Sequence, residues 1–245
     1  MVTDDDFKNH WKRWGDLTRF YSCLIKASDE EIAKWKGQAE HYSNLIKGSG
    51  PLQNFRLSIE TYLETLQQRE LLLNGILIQY FSLFEMYCAL VIDRYVQTGA
   101  EASEETKKYF SLDESDCLGE SIVQYNKIEH YSPFIVRITK AALVAPCEKT
   151  DVLLKIAVIR NAVAHCGGVI TKSMENRLKG NNITAYKHGD KIEMNIELLR
   201  DFLSSMKTFC RLCAANKRKV RTPTPIPLKK TNRPVKRSPN RNPLA

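Results

Sequence analysis

Apolar positions in this chain recur mainly at helical spacing, and they divide it into a succession of helical segments. Residues 5–26 and 29–47 read as two helices, with SDEEIAKW offering Ser28 as an N-cap and Glu31 at the capping-box position. Gly48-Ser49-Gly50-Pro51 breaks the pattern. From Leu52 to Gln97 helix-spaced apolar residues run for longer than one ordinary helix, and Asn74-Gly75 is the natural place for a kink or division. The part beyond it, Ile76–Val96, is apolar almost all round and is predicted to be the central core helix. Residues 98–116 are polar and read as a loop with a short helix. Helical patterns return at 118–130 and, after Pro133, at 134–144. At Asn182–Asn195 the period changes: ITAYK and KIEMN flank His188-Gly189-Asp190, which predicts a small β-hairpin. Asn195 can cap a last helix from Ile196 to about Asn216, with Leu199, Phe202, Met206 and Phe209 on one stripe. The fold class that follows is mostly α, a helical bundle with a small β-hairpin before its last helix.

One segment departs from this simple pattern. Thr150–Gly168, TDVLLKIAVIRNAVAHCGG, reads as a helix with Thr150 as N-cap, Asp151 in its first turn and two glycines for the reversal that follows. At about 100° per residue, Val152, Ile156, Ile159 and Val163 share one stripe. Asn161 and His165 lie together on nearly the opposite face, flanked by Leu154, Val158 and Ala162, with Arg160 between the two faces. A helix apolar on both sides is either wholly buried or meets a second partner, and the polar groups within it need partners or a role.

Charge changes the picture at one end only. The net charge is +9, yet ten of the 37 basic residues and none of the 28 acidic ones lie beyond residue 216, so the body is close to neutral. That end also holds six of the nine prolines, and 217–245 is predicted to be a disordered tail able to track phosphates. The expected organisation is an N-terminal helical extension over 1–50, a helical domain over 51–216 and the basic tail. Seven cysteines at scattered positions form no disulfide framework, which points to free thiols in a reducing, cytoplasmic setting. Cys210-Arg-Leu-Cys213 is a lone CxxC inside an amphipathic helix and lacks a second ligand pair for zinc. No histidine has a ligand-spaced partner, so neither a metal nor a cofactor is expected. Leu71–Ile92 approaches membrane-span length, but Asn74, Gln79 and Glu85 interrupt it, and a buried core helix is the better reading.

The chemistry rests on Arg160-Asn161-Ala-Val-Ala-His165. An arginine fork can neutralise a phosphate and a histidine can move a proton near neutrality, a pairing suited to phosphodiester chemistry without a metal. The alternative is a buried Arg–Asn–His cluster with a purely structural role. The motif, the two glycines after it and the upstream apolar helix LLLNGILIQYFSLFEMYCALVIDRYV together resemble the HEPN superfamily, helical domains of which many are metal-independent endoribonucleases. The likeness covers roughly residues 50–215.

The resemblance implies that Arg160 and His165 are the catalytic pair, with Asn161 the polar residue that follows the arginine. It implies a homodimer through the helix at 150–166, whose two motifs form one composite site. It further implies an acidic residue on another helix that supports the histidine; Glu85 is the first candidate, with Asp93 and Asp151 as alternatives. The implied reaction is attack of the ribose 2′-hydroxyl on the adjacent phosphate of RNA, in a toxin or antiphage-defence effector with a possible antitoxin or defence partner. A non-catalytic helical module that binds RNA or protein is the competing expectation.

Overall fold

In a computed structural model, residues 4–36, 46–47, 56–112, 119–141 and 150–215 are described. They are mostly helical: α1 (Asp4–Lys36), α2 (Ile59–Gln67), α3 (Arg69–Val96), α4 (Ala100–Phe110), α5 (Gly119–Tyr125), α6 (Ile128–Thr139), α7 (Thr150–His165), α8 (Lys172–Lys179) and α9 (Ile196–Ala215). A two-residue ladder, β1 (Ile46–Lys47) against β2 (Arg56–Leu57), is antiparallel. The break at Gly48–Pro51 and the tail at 217–245 lie outside the described residues.

The central element is α3. Leu77, Phe84, Cys88 and Ile92 are fully enclosed, and α1, α4, α5, α6, α7 and α9 all pack on it. By length and composition α3 could cross a membrane, but just over half of that apolar window is already buried among the protein's own helices. Helices α1 and α9 are both tied to it by side-chain hydrogen bonds. The Tyr87 hydroxyl donates to the Cys210 carbonyl of α9 at 2.9 Å, and Arg94 forks onto Asp6 of α1 at 3.0 and 3.2 Å. Trp14 of α1 belongs to the same hydrophobic core, so this helix packs on the body.

Several boundaries differ from the sequence pattern. The first helix does not divide at Ser28: α1 runs through it, because no Gly or Pro forces an exit and Lys26 reaches Glu30 across the junction at 3.6 Å. The long apolar stretch divides at Gln68, not at Asn74-Gly75. Gly75 costs about 1 kcal/mol inside a helix, less than the burial of neighbouring Leu73, Ile76 and Leu77 returns. Nothing lies within 4 Å of a Cβ built on Gly75. Gly75→Ala is therefore expected to raise stability by about 0.5–1 kcal/mol, read from the midpoint of urea unfolding. An unchanged or lower midpoint would place an unseen constraint at this position.

Pro133 lies inside α6 rather than before a helix. Its ring is on the exposed side, while Ile128, Tyr131, Phe134 and Ile135 bury the other, so packing outweighs the one lost backbone bond. The β-hairpin at 182–195 does not form. Residues 189–192 bond instead to the segment after the double glycine: Ile170 N–H to Asp190 at 2.9 Å, Gly189 N–H to Ile170 at 2.9 Å, and Ile192 N–H to Gly168 at 2.8 Å. The strand-like KIEMN found a partner, but a distant one, with α8 between them. Asn195 does cap α9, its Oδ1 accepting from the Leu198 N–H at 2.8 Å.

Candidate functional site

Helix α7 threads between α3, α6, α8 and α9. Both of its apolar sides are covered from within the chain: Leu154, Val158 and Ala162 are 1%, 0% and 0% exposed. The second face is thus an internal packing surface and offers no argument for a dimer contact. The helix ends at His165, where Gly167 and Gly168 adopt φ 58° and 81° and the Gly168 N–H donates back to the Ala162 carbonyl at 2.9 Å. This left-handed closure explains the two glycines.

Of the four predicted site residues, three are brought together. Arg160 Nη1 donates to Asn161 Oδ1 at 2.8 Å, and Nη2 reaches Glu85 Oε2 at 3.5 Å. The guanidinium carbon stands 5.2 Å from the centre of the Phe81 ring, and Nε is buried without a hydrogen-bond partner among the described residues. Glu85 therefore serves the arginine, not the histidine. Burial of its carboxyl pushes its pKa up, against the downward pull of Arg160. The fourth residue, His165, is exposed and bonds to none of the other three. Asp93 accepts the Gly119 N–H and Asp151 is exposed, so neither supports His165 either. Cys166 is half-buried, while burial holds the thiols of Cys210 and Cys213 above the usual range, the latter at about 12, as packing groups.

Asn161 and Arg160 open onto different spaces. Arg160 and Glu85 line a cleft of about 960 Å³ bounded by α1, α3 and α5, with Asp6, Asp93, Glu120, Arg13 and His10 around it. Four carboxylates against two arginines make that cleft a poor place for a phosphate. Asn161 lines a second cleft of about 710 Å³ between α6 and α8. Lys127 and His130, from the start of α6, meet Arg177 of α8 there, a grouping invisible in the sequence because the two helices are far apart along the chain.

His10 was also unforeseen. It is 7% exposed, 4.8 Å from the Tyr87 ring, and its Nε2 is buried without a hydrogen-bond partner among the described residues. Burial first, and then the charge of Arg13, lower its pKa from 6.5 to about 4. Between those values the unfolded chain holds a proton that the folded one refuses, so stability falls as the solution is acidified through that window. The loss attributable to this residue is about 3 kcal/mol. Urea unfolding of His10→Phe should show a correspondingly smaller loss between pH 6.5 and 4. Parallel pH profiles for variant and wild type would remove His10 as the cause.

No family model, no curated protein and no solved structure matches this chain.

Proposed function

We propose that the chain is a metal-independent endoribonuclease with a HEPN-like bundle, and that Arg160 and His165 carry the reaction. The observation that carries this reading is the end of α7. A motif arginine held by Asn161 and Glu85 precedes, by just over one helical turn, an exposed histidine that makes no side-chain hydrogen bond among the described residues. His165 would move protons between the ribose 2′-hydroxyl, the phosphate and the leaving 5′-oxygen, and Arg160 would have to exchange Glu85 and the acidic cleft for the phosphate to neutralise the charge developing there. Five residues apart on one helix, the two side chains leave the axis about 140° apart and about 7.5 Å along it. A single phosphate is hard to serve from both in one chain. Two copies meeting at the ends of their α7 helices would pair the histidine of one with the arginine of the other, so the reading includes a homodimer and a role as a toxin or defence effector.

A second reading has its own support. Arg160 is already engaged by Glu85, Asn161 and the Phe81 face, which is what a structural arginine in a non-catalytic binding module would show. Incubation with total RNA in EDTA separates the two. The enzyme yields fragments with 2′,3′-cyclic phosphate ends; binding without cleavage is the module.

A further inference from the structure

The second cleft differs from the first in kind. Its walls come from the start of α6, the outer side of α7 and α8, and six of its side chains matter: Lys127, Glu129, His130, Asn161, Ser173 and Arg177. Arg177 forks onto Glu129, Nε to Oε1 at 2.8 Å and Nη2 to Oε2 at 2.5 Å, with both side chains less than one-fifth exposed. Burial would raise the pKa of that carboxyl, but the arginine's hydrogen bonds outweigh it and keep the pair ionised. The pair therefore holds the Arg177 fork still at the edge of the space. Lys127 is exposed and makes no salt bridge among the described residues. Asn161 has its Oδ1 committed to Arg160, which leaves its NH₂ as a donor. Ser173 adds a hydroxyl and His130 an imidazole.

We propose that this cleft is a phosphate-binding site, formed by Lys127, His130, Asn161 and Ser173 beside the fixed Arg177–Glu129 pair. Two cations against one carboxylate leave a formal charge of +1 before His130 is counted, matched to the single charge of a phosphodiester. The acidic cleft on the other side of Arg160 repels such a group, so a strand passing α7 has one favourable side on which to rest a phosphate. Asn161 joins the two regions, bonded to the motif arginine and facing the second cleft. The ligand is accordingly a phosphodiester of the RNA strand next to the cleaved one; this last step rests on the endoribonuclease reading, whereas the phosphate site itself does not.

The test uses the full chain, selectively labelled at histidine Cε1, with the His130 signal assigned from His130→Gln. Inorganic phosphate and an uncleavable 2′-O-methyl RNA oligonucleotide are titrated separately, each against sodium chloride of equal ionic strength. Both are expected to move the His130 signal saturably, the chloride is not, and Lys127→Glu should weaken both by about tenfold or more, the loss of one charge-assisted contact. The site is overturned by no saturable movement with either probe, or by unchanged affinities in Lys127→Glu. Movement with inorganic phosphate alone overturns the RNA assignment and identifies a free-phosphate site. Binding of both probes by a chain that cuts no RNA in EDTA upholds the site and overturns the endoribonuclease reading instead.

Discussion

His165→Ala is expected to lower cleavage of RNA in EDTA by roughly 10²–10⁴-fold, the usual contribution of a group that transfers a proton in the transition state. Its effect on stability should stay within about 0.5 kcal/mol, because the side chain is exposed and makes no hydrogen bond among the described residues, so its loss strands no polar atom there. The combination is what makes the variant informative. Arg160→Ala also removes a predicted catalytic group, but it strips the partner from half-buried Glu85 and exposes one side of Phe81, so lost activity there could follow from lost structure. Matching urea midpoints with cleavage lost would tie His165 to chemistry. Equal cleavage by a well-folded His165→Ala would sink the proposed mechanism, whatever the RNA-binding properties of the protein.

The largest effect on stability is expected at Gly119, the first residue of α5. A Cβ built there would lie 2.1 Å from the Ala89 carbonyl oxygen and 2.9 Å from its carbon, both backbone atoms of the central helix. Neither can rotate away, so α5 would have to lift off α3. That movement would also break the bond from the Gly119 N–H to Asp93 and loosen Ile122 and Val123 in the core. Gly119→Ala should cost about 3 kcal/mol or more, the upper range of overpacking effects. For a chain of this size that corresponds to a fall in Tm of about 6–12 °C, measurable by thermal unfolding. A Tm within a degree of wild type would mean that α5 does not sit this close to α3. The contrast with Gly75 is instructive, since the same substitution there meets open space and should stabilise.

Much of the architecture was legible in the chain itself. The 3.6-residue apolar period marked α3, α7 and α9, Asn195 announced the start of α9, and the double glycine announced the end of α7. These are local properties: a period, a cap and a φ that glycine accepts depend on neighbours a few residues away. Where the reading erred, a distant contact decided. Gly75 and Pro133 stayed inside helices because the surrounding residues bury on elements the sequence does not place nearby, and KIEMN paired with the segment after Gly168 rather than with ITAYK.

The site divides in the same way. The spacing of Arg160, Asn161 and His165 on one helix was fixed by the sequence, as was the expectation that polar groups in an apolar helix need partners. Which partners they found was not. Only tertiary packing could join Glu85 to Arg160 instead of His165, cover Leu154, Val158 and Ala162 from within the chain, and gather Lys127, His130 and Arg177 around Asn161. The physical reason is that helical periodicity determines which way a side chain leaves its own axis, whereas the group it meets depends on the position and rotation of other helices, set by the packing of the whole core.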